Sequence, residues 1–246
     1  MQASGATIDD EEVGNFAAQA DNWWNPAGSF RALHRLNPTR LGFIRSRLLA
    51  HFHRDPSLLR PFGGLRLLDI GCGGGLVAEP ASRLGFAVTG IDPGAEAIAV
   101  AQEHAQAAGL GVDYRIASAE SIADAGERFD AVLALEVIEH VADRAAFSRT
   151  LGSLVAPGGV LIAATINRTA RSFALAIVGA EYLLGWIPRG THDWRKFVRP
   201  SELVLDLRRN GLVATEIAGL SYQLGTGDWA LTRDVEVNYL VMAVRR

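Results

Sequence analysis

The chain reads Leu67-Leu68-Asp69-Ile70-Gly71-Cys72-Gly73-Gly74-Gly75 where a short apolar run passes into a cluster of glycines. The apolar run, residues 65–70, is typical of a buried strand, and residues 76–84 after the glycines are typical of a helix. Open parallel sheets bind ligands at such a turn, because backbone that lacks Cβ atoms can approach a ligand closely. This stretch therefore predicts a ligand site at the end of a first strand.

The chain on both sides of this loop alternates between strand and helix patterns. Strands are predicted at 87–91, 112–117, 129–135, 160–166, 213–218 and 238–244, and helices at 95–108, 143–154 and 201–210, the last with Ser201 as its N-cap. Strands that alternate with helices at this spacing form βαβ units. The sequence therefore predicts an α/β fold with a doubly wound, mostly parallel, seven-stranded sheet.

The ends of the domain are predicted from composition. Residues 1–10 read as a flexible tail, and residues 11–246 as one domain in which 168–199 form an insertion that breaks the alternation. A short helix is predicted over 11–20. A second helix is predicted to begin at Asn37-Pro38, with Asn37 as N-cap and Pro38 in the first helical position.

Composition excludes several classes of function. The chain has 246 residues, a net charge of −3 and one cysteine. A nucleic-acid partner would need a clustered basic surface, which this balance of charge does not favour. One cysteine allows no disulfide within the chain and argues against a cysteine-based zinc site, so a reducing cytosolic setting is expected.

The spacing of the glycines separates two classes of nucleotide ligand. A dinucleotide loop needs G-x-G-x-x-G, and counted from Gly71 the last position of that pattern is Leu76. The observed order of Asp69, Gly71, Gly73 and Gly75 resembles the first motif of class I methyltransferases. There the acidic residue and the loop backbone hold the amino-acid end of S-adenosylmethionine, so Asp69, Gly71 and Gly73 are candidate cofactor-binding residues. A glycine-rich turn without a ligand is the alternative.

Asp92 ends the second predicted strand, about 20 residues beyond the loop, where an acidic side chain can accept hydrogen bonds from both ribose hydroxyls. The other interpretation is a helix N-cap, because Asp92-Pro93 also has the pattern of a helix start. The two roles are compatible, and Asp92 is predicted to contact the ribose.

Glu136, Glu139 and His140 follow the fourth predicted strand with the spacing i, i+3, i+4. In a helix these three side chains would lie on one face. Two carboxylates and an imidazole can bind a divalent cation or serve as acid and base. Similar strings also occur in methyltransferases without a metal, where the histidine packs locally, so spacing leaves the role open.

Three further motifs are long, and their combination in one chain is unusual. The first is Trp23-Trp24 with Phe30-x-x-Leu33-His34-x-x-Asn37-Pro38-x-Arg40, and the last is Asp234-Val235-x-Val237-Asn238-Tyr239. Between them lies Val178-Gly179-Ala180-Glu181-Tyr182 with Gly190-Thr191-His192-Asp193 and Lys196-Phe197-x-x-Pro200-x-Glu202-Leu203. From residue 11 to 244 the chain resembles the ubiquinone biosynthesis O-methyltransferases. One departure is Asn25, where that family usually has aspartate.

The resemblance implies the ligands and the reaction. It implies that Arg40, Gly71, Asp92 and Leu135 contact S-adenosylmethionine, with the Arg40 guanidinium pairing with the carboxylate of the methyl donor. It implies a magnesium site at Glu136, Glu139 and His140. From the chemistry of the side chains, Glu136 and His140 are the candidate catalytic groups. The implied substrates are polyprenylated phenols and catechols, methylated at two steps of ubiquinone synthesis.

The insertion predicts a membrane contact. Residues 172–188 are apolar, include Trp186, and are too short and too charged at Glu181 to span a bilayer. Cations flank the segment, as in helices that lie on anionic lipid. The predicted location is the cytoplasm, at the inner face of the membrane, and a ubiquinone-biosynthesis complex is a further candidate partner. The alternative is a helix packed on the core.

Two other functions fit much of the same sequence. A class I methyltransferase of a soluble small molecule would show neither liposome binding nor metal dependence. A module that binds S-adenosylmethionine without catalysis would show donor binding without turnover. A nicotinamide dehydrogenase is disfavoured by the spacing of the glycines.

Overall fold

The strands form one sheet within residues 22–175, 193–223 and 225–246, which the computed structural model describes. In chain order they are β1 Arg66–Ile70, β2 Ala87–Asp92, β3 Asp113–Ile116, β4 Phe129–Leu135, β5 Val155–Ile166, β6 Leu212–Gln223, β7 Asp228–Thr232 and β8 Asn238–Arg245. The spatial order is β3-β2-β1-β4-β5-β8-β6-β7. Neighbours among β1 to β5 are parallel, and β8 is antiparallel to both β5 and β6. The predicted doubly wound α/β fold is confirmed.

Helices cover both faces of this sheet. They are α1 Arg31–His51, α2 Ala78–Arg83, α3 Ala95–Ala107, α4 Ala119–Asp124, α5 Arg144–Leu154, α6 Ala170–Ser172 and α7 Pro200–Arg209, with 3₁₀ turns at Ile138–His140 and Trp194–Lys196. Apolar residues of α1, α2 and α3 pack in one core cluster, and those of α4, α5 and α7 pack in the other. The sheet thus separates two cores.

Alternation along β1 explains the two cores. Leu67 is fully buried on the side of α1 to α3, and Leu68 is fully buried on the side of α4, α5 and α7. Successive side chains of a strand point to opposite faces, so a strand covered on both faces is mostly apolar. Each fully buried leucine contributes about 1.5–3 kcal/mol relative to an exposed one.

The switch in strand order falls at β1. Ile70 at the end of β1 pairs with Ile91 of β2 on one side and with Ala134 of β4 on the other. The loops that follow these three parallel strands therefore open at the same edge of the sheet. This edge is the general ligand-binding position of an open α/β sheet.

The sheet has one strand more than the sequence predicts. The strand predicted over 213–218 extends to Gln223 as β6 and turns back through β7, which pairs with it in antiparallel register. Helix α1 also contacts β7, since Thr39 Oγ1 donates to the Trp229 carbonyl at 2.7 Å. A short, half-buried strand is hard to predict from its own residues, because its formation depends on the strands beside it.

Two predicted helix starts are wrong. Asn37 is not an N-cap, since α1 begins at Arg31 and contains Pro38. Packing explains the difference, because Leu36 and Asn37 are both buried and tertiary burial outweighs local propensity. Ser201 is not an N-cap either; Arg199 takes that position in α7, with Pro200 in the first turn.

Several predictions fall outside the described residues. These are the flexible tail at 1–10, the short helix at 11–20 and most of the insertion at 168–199. The division into a tail and one domain at 11–246 therefore stays a prediction. In the part of the chain that the structure describes, no helix has the length and apolarity needed to cross a membrane.

Candidate functional site

The glycine loop after β1 is folded back onto β2. The backbone N–H groups of Gly71 and Cys72 both donate to the Ile91 carbonyl, at 2.8 and 3.0 Å. Gly71 has φ +67°, and a Cβ there would lie 2.6 Å from the Val137 side chain. Both the conformation and the space therefore require glycine at this position.

Trp23, from the segment before α1, covers the same loop. A Cβ on Gly73 would lie 2.3 Å from the Trp23 ring, and one on Gly74 would lie 2.6 Å from it. Trp23 also stacks on Phe30 with a centroid distance of 3.8 Å. Its indole Nε1 is buried without a hydrogen-bond partner. The ring is therefore held between an aromatic residue and the loop, with its N–H group unsatisfied.

The neighbouring Trp24 fastens this segment to the loop. Its Nε1 donates to the Gly74 carbonyl at 2.9 Å, and its ring stacks on His104 of α3 at 3.5 Å. His104 in turn bonds to the buried Glu79 of α2 at 2.6 Å. The N-terminal segment is thus connected to the two helices that follow β1 and β2.

Asp92 also shapes the loop. Its Oδ2 accepts from the Gly73 N–H at 3.0 Å, and its Oδ1 accepts from the Gly94 N–H at 2.8 Å. Burial raises its pKa above the ordinary value, and these two backbone hydrogen bonds oppose that shift. Gly94, not Asp92, is the N-cap residue of α3. Asp92 therefore connects the end of β2 to the glycine loop.

Asp69 and Arg40 are two ionisable residues buried beside the loop. Asp69 is 3% exposed, and burial raises its pKa to about 7, although the Arg40 charge opposes the shift. Arg40 is also 3% exposed, and burial lowers its pKa while Glu136 and Asp69 raise it. Asp69 Oδ2 and Arg40 Nε have no hydrogen-bond partner. Two buried ionisable groups at the edge of the sheet have polar atoms without hydrogen-bond partners. Such atoms indicate a binding site for a polar ligand.

The end of β4 brings Leu135 and Glu136 to the same edge. Leu135 is buried, and Glu136 has φ +56°, which is uncommon for a residue other than glycine. The Glu136 N–H donates to the Ala164 carbonyl at 3.0 Å, and its Oε1 lies 3.8 Å from Arg40 Nη1. The left-handed conformation turns the chain out of the strand. Such strained residues cluster at functional sites.

Glu139 points into the sheet. It is 3% exposed, its Oε2 accepts from Thr165 Oγ1 at 2.6 Å, and its Oε1 has no hydrogen-bond partner. Burial raises the pKa of Glu139 above its ordinary value, the negative charge of Glu136 raises it further, and His140 and Thr165 oppose the shift. A buried carboxyl group of this kind holds a proton more readily than an exposed one.

The condition under which Glu136, Glu139 and His140 would share one helical face is not met. Only Ile138–His140 is helical, and it is a 3₁₀ turn that Glu136 precedes. Glu136 faces Arg40, whereas Glu139 is turned towards Thr165 on β5. Among residues 22–175, 193–223 and 225–246, no group of three or more histidine, cysteine, aspartate or glutamate side chains is arranged to hold a metal ion.

The structure brings the sequence-predicted cofactor residues to one edge of the sheet. Arg40 lies 3.8 Å from Glu136, the negative charges of Glu136 and Asp69 both raise the pKa of Arg40, and Asp92 binds the loop at Gly73. Sequence reasoning missed the parts played by Trp23, Asn37 and Thr165. A buried aromatic beside a glycine loop has no local signal, and Thr165 reaches Glu139 from a different strand.

Comparison with a family model identifies the fold of this site. A model described as a methyltransferase domain matches residues 19–217, which is most of the chain. The magnesium protoporphyrin IX methyltransferase of Synechocystis PCC 6803 with bound SAH superposes with a TM-score of 0.68, at 20% identity over 97% of this chain and all of that one. A possible histamine N-methyltransferase from Thermotoga maritima gives a TM-score of 0.63 at 14% identity, covering 96% and 99% of the two chains.

Curated relatives are similar over nearly the full length. The chain is 54% identical over 242 residues to the ubiquinone biosynthesis O-methyltransferase of Methylobacterium sp. strain 4-46, covering 98% of this chain and 97% of that protein. It is 53% identical over 237 residues to the protein of the same name from Azorhizobium caulinodans, covering 96% and 94%. Identity at this level over this length extends well beyond the loop motif.

Proposed function

Because the chain belongs to the ubiquinone biosynthesis O-methyltransferase family, we propose that it transfers methyl groups from S-adenosylmethionine to catechol-type hydroxyls of polyprenylated ubiquinone precursors, at both O-methylation steps. The observation that carries the proposal is the site itself. The glycine loop, Asp69, Asp92 and Arg40 meet at the switch point of a methyltransferase fold, in a chain that is 54% identical to a relative of that name.

The donor is proposed to lie along the glycine loop. Arg40 would pair with its carboxylate, Asp69 and the backbone at Gly71 and Gly73 would hold its amino-acid end, and Asp92 would accept from its ribose. Supporting this are the unpartnered Arg40 Nε and Asp69 Oδ2, since buried polar atoms in native proteins nearly always have partners. Leu135 offers an apolar wall at the end of β4.

The acceptor needs a base. A phenol has a pKa of about 10, so little of it is ionised at neutral pH, and the phenolate is the better nucleophile. When they do not hold a metal ion, Glu136 and His140 are the proposed groups that remove the proton. The O–CH₃ bond then forms as the S–CH₃ bond breaks, and the products are the methyl ether and S-adenosylhomocysteine. Holding oxygen, carbon and sulfur in line supplies most of the rate.

Magnesium is a separate proposal about this site, based on the resemblance. The side chains present suit the ion, because carboxylate oxygens are its usual ligands. The charge of Glu136 acts on Glu139, and Oε1 of Glu139 has no hydrogen-bond partner. The geometry of the described residues does not supply three ready ligands. Glu136 and Glu139, with His140, are the residues that would hold the ion. A bound ion would lower the pKa of a chelated catechol hydroxyl.

The membrane contact is also a proposal. Phe173 and Leu175, at the described edge of the 172–188 segment, are 47% and 52% exposed. Of the flanking cations, Arg168 pairs with Glu202, and Arg171 pairs with Asp234 and Glu236. Apolar insertion should therefore contribute more than attraction to anionic lipid. A cytoplasmic location at the inner face of the membrane and a ubiquinone-biosynthesis complex belong to the same proposal.

Vesicle sedimentation tests this contact. Leu183 and Trp186 are replaced by aspartate, and the variant is compared with wild type on neutral and on anionic vesicles. The proposal predicts that binding is lost on both. Unchanged binding would remove the 172–188 segment from the contact, and loss on anionic vesicles alone would reflect repulsion of the added aspartates and contradict apolar insertion.

Methyl transfer tests the function. Labelled S-adenosylmethionine is incubated with a short-chain prenylated catechol, with magnesium and with chelator. Transfer that stops with chelator and returns with magnesium supports both the reaction and the metal site. Transfer that is indifferent to chelator keeps the reaction and removes the metal. Donor binding without transfer to this acceptor would overturn the proposed substrate. Asn210→Ala, which changes a residue at the end of α7, serves as a control with wild-type activity.

A further inference from the structure

Asn37 occupies an unusual position for its residue type. It lies within α1, where asparagine is a poor helix former, and it is 8% exposed. Its side chain makes two hydrogen bonds: Nδ2 donates to the Leu76 carbonyl at 2.9 Å, and Oδ1 accepts from Arg40 Nη2 at 2.6 Å. Leu76 directly follows the glycine loop, so Asn37 bridges that loop to Arg40.

The two partners fix the orientation of the amide. The Leu76 carbonyl only accepts, and the Arg40 guanidinium only donates. Turning the amide over would set oxygen against oxygen and N–H against N–H. Asparagine is therefore matched to both neighbours at once, whereas aspartate would satisfy only Arg40, and alanine would satisfy neither.

Arg40 depends on this bridge. Its side chain is 4% exposed, its Nε has no hydrogen-bond partner, and its Nη1 lies 3.8 Å from Glu136 Oε1, which is longer than a hydrogen bond. The hydrogen bond from Nη2 to Asn37 at 2.6 Å is much shorter. Asn37 therefore holds one edge of the guanidinium and leaves other N–H groups for a ligand.

We propose that Asn37 is a positioning residue that anchors Arg40 to the end of the glycine loop and so aims the guanidinium at the carboxylate of S-adenosylmethionine. This inference rests on the proposed donor site, in which Arg40 pairs with that carboxylate. Asn37 acts through Arg40 and through Leu76. Its contribution should therefore appear for ligands that carry the carboxylate and be absent for ligands that lack it.

Two ligands separate positioning from general structural support. S-adenosylhomocysteine has the amino-acid end, and 5′-methylthioadenosine has the same nucleoside and thioether without it. Asn37→Ala should weaken binding of S-adenosylhomocysteine by about tenfold, the size expected for losing a hydrogen bond to a charged group. The affinity for 5′-methylthioadenosine should change by less than about twofold. Binding is measured by calorimetry or competition.

Asn37→Asp is the second variant, used also if the alanine variant does not fold. The aspartate carboxylate still accepts from Arg40 but competes for it with the carboxylate of the bound ligand. The loss of affinity should therefore again be confined to S-adenosylhomocysteine. Asn210→Ala is the matched control, because Asn210 Nδ2 also donates to a backbone carbonyl, that of Asp206, at 2.8 Å on α7. It should leave both affinities unchanged.

Arg40→Ala separates failure of this inference from failure of the donor site. If Arg40→Ala weakens only S-adenosylhomocysteine, and Asn37→Ala adds nothing in that background, the inference holds. If Arg40→Ala is selective but Asn37→Ala weakens both ligands equally or neither, Asn37 does not aim Arg40 and the inference is overturned. If Arg40→Ala itself is not selective, the proposed pairing of Arg40 with the carboxylate fails.

Discussion

Thr165 on β5 donates a hydrogen bond of 2.6 Å to the buried carboxyl group of Glu139, across the turn that follows β4. Thr165 is fully buried, and Glu139 Oε1 has no hydrogen-bond partner. The pair connects the Ile138–His140 turn to the centre of the sheet. Since a buried carboxyl group is costly without partners, this single hydroxyl is important for the position of the turn.

Thr165→Val removes that hydroxyl while keeping a β-branched side chain of nearly the same shape. We expect the free energy of unfolding to fall by about 1–3 kcal/mol, the cost of leaving a buried acceptor unsatisfied. Methyl transfer should fall more than donor binding, because the turn contains His140 and closely follows Glu136, the two groups proposed to remove the proton. Urea unfolding and steady-state kinetics measure the two effects. Thr165→Ser keeps the hydroxyl and should retain most of both; a loss in Thr165→Ser with little loss in Thr165→Val would show that the methyl group matters instead.

The raised pKa of Asp69 predicts that the stability of the folded protein depends on pH. Its pKa in the folded protein is raised to about 7, mainly by burial. The folded state therefore holds the proton more tightly than the unfolded chain. The resulting stabilisation is fully present below the unfolded pKa of about 4 and is lost as the pH rises through about 7.

Asp69→Asn should remove this part of the pH dependence. Between pH 5 and 8 the decline in the free energy of unfolding should be smaller in the variant by about 1–3 kcal/mol. Urea unfolding of the ligand-free protein across this range measures the slope. The slope should not vanish, because burial also raises the pKa values of Asp92 and Glu139. Identical slopes for wild type and variant would contradict the raised pKa.

The sheet and its loop could be predicted because their signals are local. The strand Phe129–Leu135 has the predicted bounds, since a run of buried apolar residues between turns defines it. The spacing of the glycines likewise separates this loop from a dinucleotide loop. The loop geometry agrees, with Gly71 in a left-handed conformation and Gly73 bonded to Asp92.

The rest of the site depends on contacts between distant parts of the chain. Asn37-Pro38 has the local pattern of a helix start, but the packing of Leu36 and Asn37 extends the helix back to Arg31. The helical spacing of Glu136 and Glu139 did not anticipate the left-handed conformation of Glu136. Propensity cannot supply such facts, because tertiary packing overrides it.

Two glycine substitutions give opposite predictions for stability. Gly42 is exposed within α1, and a Cβ there would meet nothing within 4 Å. Gly42→Ala should therefore raise the free energy of unfolding by about 0.5–1 kcal/mol, since alanine loses less backbone entropy in a helix. Thermal or urea unfolding measures the change, and binding of S-adenosylhomocysteine should stay at the wild-type value.

Gly73→Ala should be destabilising for two independent reasons. Gly73 has φ +51°, and its Cβ would lie 2.3 Å from the Trp23 ring, which cannot easily retreat because it stacks on Phe30. The expected loss is about 2–4 kcal/mol of unfolding free energy, with at least a tenfold (roughly 1.4 kcal/mol) loss in affinity for S-adenosylhomocysteine. In a Trp23→Ala background only the backbone strain remains, so Gly73→Ala should then cost about 1–2 kcal/mol. The same cost in both backgrounds would show that Trp23 does not confine the loop.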